Sequence, residues 1–380
     1  MSLTPIEGHQ DVRRALARAS AARQLPNSLL LHGPAGIGKQ RVALWLAQLL
    51  LCARPAGDEP CGTCQSCRMV DRLEHPDMHW YFPLPRPKAA GGPDRLGEAL
   101  EEARAAELAA RRTEPLRATV PDGLSGIYLA HIHSLLRTAA ARPAMGARKV
   151  FIVGDAEALV PQEASPEAAN ALLKLLEEPP ADTTVILTAS DPDVLLPTVR
   201  SRLLPVRLRP LGTDRVERYL REHARADATQ ARQAAQLAQG SIGRAVAYLP
   251  QQGAPGPLED IRLAARALLE AALDRSAAPR LTASLNESPA GARGLFSDTL
   301  AALTSWLRDL AAAATGADEV IVNVDAADWL RTLAQRHPRA AQGVPAAIRD
   351  VDATIQLTQL NINPQLALAG LLRSIHRRIA

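Results

Sequence analysis

The sequence lacks any apolar run near the roughly 18 uninterrupted residues of a membrane span. Its longest candidate, around Val42–Leu51, is too short. The opening Met1-Ser2-Leu3-Thr4-Pro5 has neither the basic start nor the apolar core of a secretory signal, so a soluble cytoplasmic protein is expected. Lysine is nearly missing: of 44 basic residues, only Lys39, Lys88, Lys149 and Lys174 are lysines. Together with the alanine excess this reads as GC-rich coding bias, which strips most arginines of special meaning and makes each retained lysine a candidate for chemical need. Internal repeats are absent as well. A hydrophobic core is not lacking: 380 residues with 47% hydrophobic and 22% charged exclude wholesale disorder and allow two or three domains. The net charge of +4 and a pI near 9.1 are compatible with a phosphate-backbone partner without demanding one.

The first fifty residues read helix (Asp11–Ala22), apolar strand (Ser28–His32), glycine-bearing loop (Gly33–Lys39) and apolar helix (Gln40–Leu51). A second strand, Val150–Val153, enters Gly154-Asp155. Ser165-Pro166-Glu167 has the pattern of a helix start, with a capping serine before a proline, and Pro179-Pro180 stops that helix. Thr184–Thr188 is a third strand. This alternation predicts a parallel sheet flanked by helices. Beyond about Arg207 only helices are expected: Thr213–Ala224, Thr229–Gln239 and Ile242–Leu249 as a compact unit, then a Gln/Gly/Pro linker at 251–257. The stripes Ile261, Ala265, Leu268, Leu269 and Phe296, Leu300, Leu303, Leu307, Leu310 follow, and they read as bundle core. Pro83–Pro121 reads as a solvated insertion whose charged Glu98–Arg112 helix has no sustained apolar face.

Gly33-Pro34-Ala35-Gly36-Ile37-Gly38-Lys39 fits a phosphate loop. Its glycines let backbone N–H groups curl round an anion at a helix N-terminus, and its lysine reaches the outer phosphates. The next position, which should give a Ser or Thr hydroxyl to Mg²⁺, is Gln40. Asp155, at the end of an apolar strand, is placed to hold Mg²⁺ directly or through water. A turnover enzyme of this type carries a Glu next, to polarise the attacking water, whereas here the residue is Ala156, and Glu157 is one place too far along. The site is half equipped, which predicts binding without efficient turnover.

Every cysteine sits in one array, Cys52, Cys61, Cys64 and Cys67, spaced C-x₈-C-x₂-C-x₂-C. Close C-x₂-C pairs let four thiolates converge on one tetrahedral ion, so a structural zinc with a closed coordination shell is expected rather than a disulfide. His75 and His79 lie nearby, and ordinary packing or surface histidines are the simpler reading for both.

The order of these features carries a resemblance: phosphate loop, cysteine array after its helix, His75-Pro76-Asp77, Asn170-Ala171-Leu172-Leu173-Lys174-Leu175-Leu176-Glu177-Glu178-Pro179-Pro180, then Arg200-Ser201-Arg202. The chain resembles the AAA+ clamp-loader family of the bacterial DNA polymerase III. Gln40 and Ala156 make it similar to the delta-prime, stator branch rather than the gamma/tau motor branch. The resemblance covers Met1 to about Leu249, the 83–121 insertion apart. It implies an AAA+ base over 1–207, with a zinc module at 52–67 and an insertion at 83–121, a helical lid over 208–252, and an all-α collar over 253–380. It also implies a non-catalytic subunit with negligible intrinsic ATPase, partnered by gamma/tau motor subunits and the delta subunit, which helps place a sliding clamp on primed DNA. Arg202 matches an arginine finger that acts in trans on a neighbour's ATP, and Leu203 stands where the family's motif has cysteine. Gly33, Gly36, Gly38, Lys39, Gln40, Asp155 and Arg244 would form a nucleotide site that is vestigial or weak for Mg-ATP, with Arg244 matching an arginine that senses nucleotide in cis. Two other readings compete. One is a self-sufficient P-loop ATPase, such as a helicase loader or motor. The other is a zinc-dependent DNA-binding module, opposed by Arg68 being the only basic residue of Pro60–Val70 and by the absence there of an aromatic platform.

Overall fold

Five parallel strands form the sheet at the centre of the N-terminal unit. A computed structural model describes residues 5–87, 92–116, 125–159, 166–251, 253–286, 293–358 and 362–380. The elements of this unit run α1 (Gln10–Ala21), β1 (Ser28–His32), α2 (Lys39–Leu51), α3 (Gln65–Asp71), β2 (Met78–Tyr81), β3 (Leu84–Pro85), α4 (Gly92–Thr113), β4 (Ser125–Gly126), α5 (Leu129–Ala140), β5 (Lys149–Val153), α6 (Glu167–Glu177), β6 (Thr183–Ala189), α7 (Pro197–Arg200), β7 (Leu204–Arg207) and α8 (Thr213–His223). The strand order is β2-β5-β6-β1-β7, all pairs parallel, and β3-β4 is a separate short antiparallel ribbon.

Every residue of β5 and β6 is buried, as expected of central parallel strands covered by helices on both faces. β7 is the exposed margin and carries Pro205, which an edge strand tolerates because it needs no inward N–H there. The α/β class read from the sequence holds, and the three strands read there lie within one residue of their observed limits. The capping serine expected before α6, Ser165, lies outside the described residues. Two strands of the five-stranded sheet carry no legible signal in the sequence, β2 and β7: each is only four residues long and has no alternation of its own.

The insertion departs from expectation. α4 is not a solvated helix, because Leu100 is wholly buried, and Ala103 and Leu108 pack against the core. The guanidinium of Arg104 lies 4.9 Å over Tyr81, and that of Arg111 lies 4.6 Å over Trp80 and 4.0 Å over Phe82. Trp80 and Tyr81 are successive strand residues that point to opposite faces, so α4 straddles the β2 margin. Arginine stems and cation–π contacts replace the apolar stripe that the sequence lacks.

The second unit is helical: α9 (Ala228–Ala238), the C-terminal part of α10 (Ile242–Tyr248), α11 (Pro257–Leu273), α12 (Ala278–Leu285), α13 (Arg293–Thr315), α14 (Ala327–Arg336), α15 (Ala340–Thr358) and α16 (Pro364–Ile379). α8 and the turn 239–244 belong to the first unit. Both apolar stripes read from the sequence, Ile261 apart, lie in one core with Trp306. Arg262, buried beside that core, is held by Glu259 at 2.7 Å, Asp325 at 2.9 Å and Asn323 at 3.0 Å, so its charge is paired. Among the described residues no helix is long and apolar enough to cross a membrane.

Candidate functional site

β1 delivers the chain into Gly33 at the C-terminal end of the sheet, and the loop closes on Gly38, which caps α2 at φ 97°. Lys39 folds back across the loop: its Nζ donates to the carbonyls of Gly33 (2.9 Å) and Pro34 (3.0 Å) and to Ser190 Oγ (2.9 Å) at the end of β6. The turn after α9 presses on the same loop, with Ser241 Oγ donating to Ala35 O (2.9 Å) and Gly243 N to Gly36 O (2.9 Å). Gly36 has φ 73°, and a Cβ there would lie 2.5 Å from Ser241 Oγ, so glycine is needed both for the turn and for the close approach. Arg244 follows immediately, its backbone N–H on Ser241 Oγ at 3.2 Å and its side chain exposed.

Gln40 Nε2 donates to Asp155 Oδ2 at 2.8 Å. Gly154 makes room for this longer arm, since a Cβ there would lie 2.9 Å from the Gln40 amide. Burial raises the Asp155 carboxyl above the usual carboxylate range, and burial likewise lowers the Lys39 ammonium. Ala156 is wholly buried in the core beneath the sheet. Glu157 accepts the backbone N–H groups of Ser190 and Asp191, and it stays close enough to Lys39 and Asp155 for its charge to act on both. The phosphate-loop residues read from the sequence are therefore brought together, and no carboxylate occupies the Ala156 position.

Cys52, at the end of α2, meets Cys61, Cys64 and Cys67 around the start of α3, and the four sulfurs lie within 4.8 Å of one another. None of the four is joined in a disulfide. A tetrahedron with bonds of about 2.3 Å sets its sulfurs about 3.8 Å apart, and Cys61 Sγ and Cys67 Sγ are 4.0 Å apart. Backbone N–H groups of Cys61, Cys64 and Cys67 point at the sulfurs of Cys52, Cys61 and Cys64 at 3.3, 3.4 and 3.4 Å. The N–H groups of Cys64 and Thr63 pull the Cys61 thiol down to about 6. Burial pushes the Cys67 thiol up, a penalty that a bound cation would relieve. This donor set fits a metal ion.

Neither nearby histidine joins the cluster. His75 Nδ1 accepts the Asp77 N–H at 3.1 Å, and His79 stacks on Phe151 at 4.9 Å. Asp77 has a role that its sequence context does not show. Its carboxylate accepts three backbone N–H groups, from Ala144 (2.5 Å), Met145 (2.8 Å) and Gly146 (2.8 Å), and so shapes the loop that feeds β5. Burial pushes Asp77 up, but those three donors outweigh it and hold the carboxyl below its usual range. Lys149 stands out in the sequence only as a retained lysine. Its ammonium donates to the carbonyls of Thr138 (2.8 Å), Ala139 (2.8 Å) and Ala141, closing the C-terminal end of α5.

Arg202 lies elsewhere. Leu204 pairs with Leu29 at the start of β1, whereas the phosphate loop leaves from His32 at its end. With strands rising about 3.3 Å per residue, Arg202 sits on the opposite end of the sheet from Lys39. Its Nη1 donates to Thr198 O at 2.8 Å and its Nη2 pairs with Glu177 Oε1 at 2.6 Å. Leu203 is buried in the core, filling the packing position next to it.

Residues 8–212 match the family model described as DNA polymerase III, delta subunit. The chain belongs to this family. Its residues 260–377 match the model for the C-terminal region of the DNA polymerase III delta subunit. This delta-family chain is 34% identical over 179 residues to DNA polymerase III subunit delta' of Pseudomonas aeruginosa, an alignment covering 47% of this chain and 42% of that protein. It is 33% identical over 193 residues to the Escherichia coli subunit delta', covering 50% and 45% respectively. The Escherichia coli subunit tau is 27% identical over 256 residues, covering 66% of this chain and 33% of tau. The matched region thus spans about half the length of the delta' relatives.

Proposed function

We propose that this chain is a stator subunit of delta-prime type in a DNA polymerase III clamp loader, seated between gamma/tau motor subunits and the delta subunit, in a complex that places a sliding clamp on primed DNA. The observation that carries the reading is the division of labour across the sheet. One end holds a phosphate loop whose Gln40 and Asp155 are bonded to each other and whose neighbour Ala156 is buried. The other end presents Arg202, 35% exposed, to the outside of the subunit.

An arginine at that end cannot serve the chain's own loop, so its chemistry is offered to a neighbour. Negative charge is spread over the equatorial oxygens of a transferring phosphoryl group, and a guanidinium answers it with a planar fork of donors and a charge that persists at any physiological pH. Such fingers are worth roughly 10³–10⁵ in rate. The chain's own loop keeps Lys39 for phosphate and Asp155 for Mg²⁺. Any Mg-ATP is held weakly, because Gln40 brings an amide rather than a hydroxyl to the metal position, and Ala156 supplies no carboxylate to orient a water. Cys52, Cys61, Cys64 and Cys67 would hold zinc in a closed four-thiolate shell, which supplies folding energy to the 52–71 module and activates no water. The 253–380 helices form the collar that joins partner subunits.

The test is reconstitution of the chain with gamma/tau and delta subunits, followed by DNA-stimulated ATP hydrolysis and clamp loading. Arg202→Ala should leave assembly intact and lower hydrolysis by roughly tenfold or more, and Arg202→Lys should restore it incompletely. Wild-type rates with Arg202→Ala would reject the finger. Turnover by the isolated chain near about 1–100 s⁻¹, abolished by Lys39→Ala, would reject the stator and favour a self-sufficient ATPase.

A further inference from the structure

We propose that Glu177 is the positioning residue of Arg202, a carboxylate that holds the finger in its working orientation before a neighbouring subunit's nucleotide arrives. This inference rests on the reading of Arg202 as a finger acting in trans.

Glu177 is the last residue of α6, which Pro179-Pro180 prevents from continuing. A carboxylate at a helix C-terminus is repelled by the negative end of the helix dipole, so its position there calls for compensation from elsewhere. Arg202 supplies it, with Nη2 to Oε1 at 2.6 Å across 25 residues of sequence and from a different element. The two arginines flanking Ser201 differ in this respect. Arg200 pairs with Asp193 in the turn just before α7, a local contact, whereas Arg202 reaches back to α6.

Arg202 is thus gripped at two points of its fork. Nη1 lies on Thr198 O at 2.8 Å, with Ser201 Oγ at 3.4 Å, and Nη2 lies on Glu177. Ser201 Oγ also bonds Thr198 O at 3.0 Å, so the serine steadies the same carbonyl. A guanidinium has five N–H donors, and a two-point grip leaves part of the fork for an incoming phosphate. The pair is 35% and 46% exposed, and an ion pair in that setting orients the side chain without binding it irreversibly. Glu177 is part of the Leu-Glu-Glu-Pro-Pro run and Arg202 of Arg-Ser-Arg, so the pair gives one physical reason for both segments to occur in one chain.

The test uses the full chain in the reconstituted complex, comparing wild type, Glu177→Gln, Arg202→Ala and the double variant by DNA-stimulated ATP hydrolysis, together with the thermal midpoint of each free subunit. Glu177→Gln should lower kcat about three- to tenfold with KM changed by less than about twofold, because orientation and not ground-state binding is lost. In the Arg202→Ala background it should cost nothing further, and the thermal midpoint should stay at the wild-type value. If Arg202→Ala lowers the rate while Glu177→Gln runs at or above the wild-type rate, Glu177 does not position the finger and the proposal is overturned. An equal loss in both backgrounds would make Glu177 a general structural residue and overturns it too. If Arg202→Ala itself has no effect, the finger reading fails and takes this inference with it.

Discussion

The amide of Gln40 is bonded to the carboxylate of Asp155, Nε2 to Oδ2 at 2.8 Å, across 115 residues of sequence. The two residues that flank a metal position in a phosphate-loop enzyme here satisfy one another. Ala156, buried next to Asp155, offers no carboxylate there.

Restoring one group should therefore not restore activity. Gln40→Thr returns the hydroxyl, yet phosphate release by the isolated chain is expected to stay at background, since Ala156 supplies no carboxylate to polarise a water. Ala156→Glu should destabilise the protein by about 3 kcal/mol or more, because it forces a carboxylate into an apolar core. Phosphate release and urea midpoints on the two variants check this. Turnover from Gln40→Thr alone, or an unchanged midpoint for Ala156→Glu, would contradict it.

The cysteine cluster predicts one zinc per chain by elemental analysis of freshly purified protein. Cys64→Ser should lose the metal and open the 52–71 segment to amide hydrogen exchange while β5 and β6 stay protected, because the metal's folding energy is local to its module. Disulfides found by mass spectrometry, with no zinc, would refute the assignment.

Acid should destabilise the N-terminal unit before most of its carboxylates titrate. Burial holds His79 and His131 at about 4 against an ordinary 6.5, so both are neutral in the folded protein. The unfolded chain binds the protons they refuse. Their stability contribution is complete above about 6.5 and is lost as pH falls toward 4. Urea midpoints from pH 7 to 4 should decline through that window. His131→Gln keeps an acceptor for the Tyr128 N–H and should make the decline shallower. A slope identical to wild type would remove His131 from the account.

Lys149 should not be replaceable by arginine. Three carbonyls at the end of α5 converge on a compact ammonium, and a planar guanidinium presents its donors in a fork of different shape. Lys149→Met is expected to cost about 1–3 kcal/mol, the cost of leaving buried carbonyls unpaired, and Lys149→Arg to recover only part of it. Chemical unfolding of both variants is the measurement, and full recovery by arginine would overturn the explanation.

Much of this protein can be read without coordinates, for reasons that are local. A strand, seven loop residues with glycines at set positions, and a helix specify a phosphate loop because the backbone conformation and the chemistry come from neighbours in sequence. The same holds for the C-x₂-C pairs, whose sulfurs are brought close by a single turn of chain. Apolar stripes at helical spacing mark the C-terminal core because burial of one helix face leaves that period in the sequence. Lys149 is conspicuous by its rarity, though its task is not visible in the sequence.

What needs tertiary structure is everything that depends on elements far apart in sequence. α4 lacks an apolar stripe and reads as solvated, yet Arg104 and Arg111 find the ring faces of Tyr81, Trp80 and Phe82, and no period records a cation–π contact. The meaning of His75-Pro76-Asp77 lies in a loop more than sixty residues on, whose N–H groups Asp77 gathers. The short strands β2 and β7 exist because neighbouring strands supply their hydrogen bonds. Above all, parallel pairing of β1 with β7 sets Arg202 at one end of the sheet and Lys39 at the other, and the stop at the end of α6 places Glu177 beside Arg202. Sequence supplies the residues and their local geometry, and the register of the sheet decides which of them can meet.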